Sequence, residues 1–178
     1  MKLFSSTLLA IALLWSTALQ AADLSMLTDF GVPDIQTETM GLDAASGGNT
    51  AAIFQAGDTN LASIEQTGGV DNIAQIWQIG NENSATIIQV GDTNQARLYQ
   101  SGDGHIATVY QEGSGNQLAV AMMEGAATLS ASQIGNYNKI ATVLYGGSSL
   151  SIEQVGDSNT FSATLTAGAK MTVKQTAQ

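Results

Sequence analysis

The sequence predicts an all-β protein, a two-sided β-solenoid of about six rungs with two short strands (strand-turn-strand repeats) in each rung. Glutamines recur at Gln55, Gln66, Gln78, Gln89, Gln100 and Gln111, with spacings of 11, 12, 11, 11 and 11 residues. The segments that begin at these glutamines share the frame QxGxxNxAxxxQ, as in QIGNENSATIIQ and QVGDTNQARLYQ. Within each segment, apolar residues alternate with other residues, which is the period of a β-strand.

Residues 1–21 are predicted to be a signal peptide that takes no part in the fold. Lys2 supplies a positive charge, the stretch from Leu8 to Trp15 is apolar, and small residues near Ala21 offer a cleavage site. The apolar stretch is short for a transmembrane helix, which needs about 20 apolar residues. We therefore expect a secreted chain without membrane insertion, whose formal net charge moves from −10 to −11 when Lys2 is removed.

Residues 22–48 contain no repeat and the only proline of the chain, Pro33. Acidic residues and glycines are frequent in this segment, a composition that favours a flexible arm.

Residues 49–178 are predicted to form the solenoid. Each unit opens with a turn at GxxN, where glycine takes a positive φ without steric cost. The predicted turn glycines are Gly57, Gly68, Gly80, Gly91, Gly102, Gly113, Gly135 and Gly156. A strand follows each turn, and in one unit it directs Asn60, Ala62, Ile64 and Gln66 to one face. Stacked strands about 4.8 Å apart would bury that face between two sheets about 10 Å apart.

The inward amides are predicted to form side-chain ladders from rung to rung, as in cross-β stacks. Exposed polar side chains are the alternative, which the inward parity and regular spacing disfavour. The predicted ladder residues are Gln55, Asn60, Gln66, Asn72, Gln78, Asn83, Gln89, Asn94, Gln100, Gln111, Gln133, Gln154 and Gln175. In the later units, apolar residues near Met122, Leu144 and Leu165 replace every second glutamine and interrupt one ladder.

Composition argues against an enzyme and against a cofactor or metal site. The chain has no cysteine and one histidine, His105, so disulfides, thiolate sites and multi-histidine zinc sites are excluded. With 15 acidic and 5 basic residues, the chain is not expected to bind nucleic acid by neutralising phosphates.

The frame QxGxxNxAxxxQ resembles the curlin repeat of the subunits of curli, the amyloid fibres of Gram-negative biofilms. The resemblance covers residues 49–175 and implies a subunit that leaves the cell through an outer-membrane curli secretion channel with accessory factors. It also implies that residues 22–48 are an export-targeting arm, and that the chain polymerises with itself and with another curlin subunit on the cell surface. Curli contain a major and a minor, nucleating subunit. The acidic balance is similar to the major type, whereas the irregular later repeats, Lys170 and Lys174 are similar to the minor type.

Four aspartates, Asp58, Asp92, Asp103 and Asp157, directly follow turn glycines. One interpretation is that they act as gatekeepers, slowing polymerisation because like charges stacked at the rung spacing repel. The alternative is that they are only favourable turn residues.

Polymerisation itself follows from the predicted architecture, because each end of a stack exposes the unpaired N–H and C=O groups of an edge strand. A monomeric solenoid that binds a surface is a competing function, but the outward residues Ser63, Glu65, Thr86, Ile88, Arg97 and Tyr99 are mixed in type. A solenoid enzyme would need clustered carboxylates near a groove, whereas the acids here are scattered over the turns.

Overall fold

The computed structural model describes residues 48–177 of the chain. The predicted signal peptide and the predicted arm up to residue 47 lie outside the described residues.

The described residues form twelve strands, as the repeat predicts. The strands are β1 Thr50–Ala56, β2 Leu61–Thr67, β3 Ile73–Ile79, β4 Ser84–Val90, β5 Gln95–Gly102, β6 Ile106–Glu112, β7 Gln117–Glu124, β8 Thr128–Ile134, β9 Lys139–Tyr145, β10 Ser149–Val155, β11 Thr160–Leu165 and β12 Lys170–Thr176. No helix in this part of the chain is long and apolar enough to cross a bilayer.

Two parallel six-stranded sheets share these strands. The odd sheet has the order β1-β3-β5-β7-β9-β11, and the even sheet has the order β2-β4-β6-β8-β10-β12. Each odd strand and the even strand after it form one rung, so the chain makes six rungs. Equivalent residues of successive rungs are paired, for example Gln66 with Gln89 and Ile53 with Ile76. The predicted two-sided β-solenoid is therefore confirmed.

The core lies between the two sheets and is built from one small and one larger apolar residue of most strands, as the alternation predicts. Ala74, Ile76, Ala85 and Ile87 are at most 1% exposed. Strands β7 and β9 contribute Leu118 with Val120 and Ile140 with Thr142. The end rungs are less covered, and Met171 of β12 is 42% exposed.

Turns join the sheets at two corners of the solenoid. The first corner contains the turns from each odd strand to the next even strand, and the second corner contains the turns from each even strand to the next odd strand. In rungs 5 and 6 the first-corner turns are tight, because the N–H groups of Ser148 and Ala169 donate to the carbonyls of Tyr145 and Thr166. Gly147 and Gly168 have φ values of 72° and 75°, which suit the third position of a type II turn. These shorter turns account for the 21-residue spacing of the last glutamines.

Candidate functional site: amide ladders and stacked turns

At the second corner, the glutamines form an unbroken hydrogen-bonded ladder through all six rungs. The Nε2 atom of each residue donates to Oε1 of the next at 2.7 to 2.9 Å, in the order Gln66, Gln89, Gln111, Gln133, Gln154 and Gln175. Each Nε2 also donates across the core to the first carbonyl of the odd strand in its own rung, at 3.0 to 3.2 Å. The ladder therefore joins neighbouring rungs and also joins the two sheets.

Asparagines form a second unbroken ladder at the same corner. Each backbone N–H donates to Oδ1 of the asparagine one rung earlier at 2.9 to 3.1 Å, through Asn49, Asn72, Asn94, Asn116, Asn138 and Asn159. From Asn72 to Asn138, Nδ2 also donates to a turn-glycine carbonyl of the following rung at 2.6 to 2.9 Å. Asn116, Asn138 and Asn159 were not among the ladder residues predicted from the sequence, although the same GxxN frame contains them.

At the first corner both ladders stop halfway along the solenoid. Gln55 donates to Gln78 at 2.6 Å and Gln78 to Gln100 at 2.8 Å, but Gln100 then reaches only the Met122 sulfur at 3.7 Å. Leu144 and Leu165 continue the column. The asparagine column likewise changes from Asn60 and Asn83 to His105 and then to small residues at positions 127, 148 and 169. Only one corner of the solenoid therefore has complete amide ladders.

His105 takes the place of an asparagine in this column. Its backbone N–H donates to Asn83 Oδ1 at 3.0 Å, and its Nδ1 accepts the N–H of Ala127 at 3.1 Å. Its Nε2 lies 3.2 Å from the carbonyl of Ser101. This arrangement requires the neutral tautomer with the proton on Nε2. Burial lowers the pKa of His105 below its ordinary value, although the Ser101 carbonyl and the charge of Asp103 act in the opposite direction.

The turn glycines allow the backbones of successive turns to stack closely. Gly80 has a φ of 121°, and a Cβ atom there would overlap the carbonyl of Gly102 in the next rung. Gly68 differs from the other seven, because a Cβ atom there would meet nothing within 4 Å. Its neighbour Gly69 approaches the carbonyl of Gly91 instead, so Gly68 is the extra residue that produces the 12-residue spacing.

Left-handed residues other than glycine occur in most of the turns, and the sequence analysis did not predict them. The residue before the ladder asparagine has a φ near 57°, as in Thr59, Glu82 and Thr93. Tyr137 and Ser158 occupy the same position with φ values of 57° and 59°. The turns that keep the GxxN frame therefore contain at least two left-handed residues, at least one of which is glycine, whereas the first-corner turns of rungs 4 to 6 contain one, at Glu124, Gly147 and Gly168.

The four aspartates do not stack on one another, so the proposed repulsion at rung spacing is wrong for the folded subunit. At the first corner Asn81 separates Asp58 from Asp103, and it donates to Asp103 Oδ1 through its N–H at 2.7 Å. At the second corner Ser114 and Asn136 separate Asp92 from Asp157. The error arose because residues 11 apart lie at opposite corners, whereas stacking neighbours are about 22 residues apart. A gatekeeper role by another route stays a prediction.

In the described part of the chain two hydroxyl groups, Thr142 Oγ1 and Ser148 Oγ, are buried without a hydrogen-bond partner, and both lie in rung 5, where the first-corner ladders are lost. Within residues 48–177 no group of three or more His, Cys, Asp or Glu side chains is arranged to hold a metal ion.

Comparison with known proteins agrees with this geometry. The family model described as the curlin-associated repeat matches residues 47–68, 80–113 and 91–121. The last match ends directly before Met122, where the first-corner glutamine ladder stops. Neither a curated protein nor a solved structure matches the chain. Three matches to this repeat, which together cover residues 47–68 and 80–121 of a solenoid built from the same frame, support the curlin family for this chain.

Proposed function

We propose that the chain is a structural subunit of an extracellular curli-type amyloid fibre and that it assembles head to tail. In this proposal a Gram-negative cell exports the chain through a curli secretion channel with accessory factors. The subunit then joins copies of itself and another curlin subunit in a fibre that serves the biofilm matrix and adhesion.

The two ends of the solenoid support this proposal because, within residues 48–177, both are open sheet edges. Strands β1 and β2 form one end, and β11 and β12 form the other. In a parallel ladder alternate residues bond to one side, so the other N–H and C=O groups of an edge strand face outward. An identical subunit can pair with these groups, and such a head-to-tail contact propagates without closing.

The direction of the ladders is the observation that carries the proposal. Among the residues that the structure describes, Gln175 Nε2 donates to the Thr160 carbonyl alone and keeps a second N–H at the β12 end. At the β2 end, none of these residues donates to Oε1 of Gln66, which can therefore accept that N–H. Likewise, Asn159 Oδ1 at one end is complementary to the N–H of Asn49 at the other, because each ladder N–H donates one rung backward. Stacked copies would therefore continue both second-corner ladders.

Proline at one end tests the proposal. The N–H of Ser149 donates to the Ala169 carbonyl and that of Lys139 to the Asn159 carbonyl. In a parallel strand, alternate residues bond to opposite sides. Ala169 and Asn159 bond to the preceding rung, so the N–H groups of Thr172 and Ser162, an odd number of residues further on, point toward the open edge. In the Ser162→Pro/Thr172→Pro variant the edge loses two donors but no internal bond.

We expect this end-capped variant to keep its β-rich circular dichroism and to stay monomeric. The wild type and the matched Ser162→Ala/Thr172→Ala variant should form fibres that bind thioflavin T and give a 4.7–4.8 Å reflection. Fibre growth by the proline variant at the wild-type rate, or a wild type that stays monomeric, would contradict head-to-tail assembly.

A nucleating role is the second candidate, and the first corner favours it. There, stacking would place Leu165 and Ala169 against Gln55 and Asn60, so those amides would lose partners that a complete ladder supplies. We favour the role of bulk fibre subunit for two reasons. At the second corner both amide ladders would continue from one copy into the next, and the chain is acidic. Two seeding experiments are compared: a trace of this chain added to a second curlin of the same cell, and a trace of that curlin added to this chain. For a bulk subunit, the lag time of fibre formation should shorten no more in the first experiment than in the second. Much stronger seeding by this chain would assign it as the nucleator.

A monomeric surface-binding module is the third candidate. The six central outward residues of the even strands all carry hydroxyl groups: Ser63, Thr86, Thr108, Ser130, Ser151 and Thr172. The mixed outward set predicted from the sequence combines residues of both sheets and of two columns on each sheet. A wild type that stays monomeric and binds an insoluble surface would favour this module over a fibre subunit.

A further inference from the structure

The two outer faces of the solenoid carry opposite charge. The odd face exposes Arg97 and Lys139, and the single carboxylate within its strands is Glu124, at the corner where β7 ends. On the even face, strands β2 to β10 carry Glu65, Glu112 and Glu153 and no basic residue. Lys170 and Lys174 lie on β12, where Lys174 already pairs with Glu153 at 3.0 Å.

The remaining acidic residues of the solenoid are concentrated in its turns, at positions 58, 71, 82, 92, 103 and 157. Neighbouring fibres therefore repel one another corner to corner. Contact between flat faces avoids these charges, so the faces are the favourable surfaces for side-by-side association.

The faces are also complementary in the side chains that they present. A shallow groove of about 280 Å³ on the odd face is lined by Ala119, Ala141 and Ser162 and bordered by Arg97 and Lys139. On the even face, strand β6 exposes Ile106, which is 53% exposed, at its start, and at its end the Tyr110 hydroxyl donates to Glu112 at 2.7 Å. This strand thus presents an apolar side chain and an aromatic side chain beside a carboxylate, which is what a groove between two cations would accept.

We propose that the odd face of one fibre binds the even face of a second fibre of the same chain, so that fibres associate laterally. This inference rests on the proposed function, because it requires head-to-tail fibres. A single exposed ion pair contributes little. In two aligned fibres, however, the same contacts recur at every subunit, and their contributions add as in multivalent binding.

The two binding faces lie on opposite sides of the solenoid, so the lateral contact does not close and layers of fibres grow. Each added fibre contributes two sheet-to-sheet spacings of about 10 Å, which predicts a lateral repeat of about 20 Å.

Charge reversal on each face tests the proposal, with fibre width measured by negative-stain electron microscopy. Wild-type fibres should bundle at low ionic strength and separate as salt screens the faces. Arg97→Glu/Lys139→Glu should give single fibres at low salt. Lys170→Glu/Lys174→Glu changes the net charge by the same amount but lies on the even face, and it should leave bundling intact.

A variant that reverses both faces, Arg97→Glu/Lys139→Glu/Glu65→Lys/Glu112→Lys, should bundle again. The proposal is overturned if wild-type fibres stay single at low salt, if the odd-face variant bundles like the wild type, or if the four-site variant stays single. Seeded elongation followed by thioflavin T is recorded for every variant. Absence of any fibre in the wild type counts against the proposed function itself, whereas fibres of unchanged growth rate and altered width report on the lateral contact alone.

Discussion

Single residues in the turns decide whether successive rungs can approach to the strand spacing. Gly80 has a φ of 121°, and a Cβ atom at this position would overlap the Gly102 carbonyl of the next rung. Gly68, with a φ of 65° and open space around it, needs only the left-handed conformation. Substitutions at the two positions therefore separate the cost of the left-handed backbone from the cost of the close stacking of turns.

We expect Gly80→Ala to destabilise the solenoid by more than about 3 kcal/mol, because the methyl group meets a backbone carbonyl in a strained conformation. Gly68→Ala should cost only about 1 kcal/mol, the cost of the left-handed conformation alone. Both substitutions are made in the end-capped variant, and guanidinium unfolding measures the free energy of unfolding of each. Equal losses at the two positions would contradict the close stacking of the turns.

His105 makes the stability of the middle rungs depend on pH. Its Nδ1 must be unprotonated to accept the N–H of Ala127, and burial lowers its pKa in the folded state below the ordinary 6.5. This contribution to stability is therefore complete above pH 6.5 and is lost as the pH falls through the lowered pKa of the folded state. Asn at this position accepts the same N–H without titrating.

The difference in unfolding free energy between the end-capped parent and its His105→Asn variant should accordingly change between pH 7.5 and pH 4.5. The histidine form should lose stability relative to the asparagine form as the pH falls. The acidic residues are the same in both proteins, so their titration cancels. A difference that is constant across this range would show that His105 is not held neutral.

The corners are the elements that distinguish this solenoid from a uniform stack. At the second corner each buried glutamine donates to the next rung and across the core, so its amide is satisfied despite complete burial. At the first corner the column from Met122 onward consists of apolar residues, which have no amide group that must be hydrogen-bonded. Removing a ladder amide should therefore be more harmful at the second corner than at the point where the first-corner ladder already ends.

We expect Gln111→Met to cost about 3 kcal/mol, because Gln89 loses its acceptor and Gln133 loses its donor in the buried ladder. Gln100→Met removes a single ladder bond, the one from Gln78, since the next residue is already Met122. Both substitutions also remove one bond across the core, to the carbonyl of Ser84 or of Gln95, so Gln100→Met should cost at least about 1 kcal/mol less. Thermal unfolding of both variants in the end-capped background gives the comparison. If Gln111→Met lost less stability than Gln100→Met, the ladder would not be what holds the rungs together.

At the scale of the whole molecule, the sequence predicted the architecture because one frame gives spacing, parity and turn position together. Gln55 through Gln175 define the strand ends, and Ala74 and Ile76 define the inner face. The frame did not reveal which turns are neighbours, so Asp58 and Asp92 were treated as one set although they lie at different corners. Nor did it reveal the left-handed Thr59 and Thr93, since tertiary stacking overrides their local preference.

Disulfide cross-linking can measure the register between subunits, because the natural chain has no cysteine. Thr172 and Ser63 occupy equivalent outward positions on β12 and β2, the two ends of the even sheet. Head-to-tail stacking would bring these residues of adjacent subunits to about 4.8 Å, within disulfide reach. Within one subunit they lie five rungs apart, about 24 Å, which excludes an internal bond.

The most direct test of the account is therefore oxidation of Ser63→Cys/Thr172→Cys fibres, followed by non-reducing electrophoresis under denaturing conditions. We predict a ladder of covalent multimers that reduction returns to monomer, and no such ladder from the matched Thr108→Cys/Thr172→Cys fibres. Multimers in both variants, or in neither, would contradict assembly by in-register stacking of the solenoid ends.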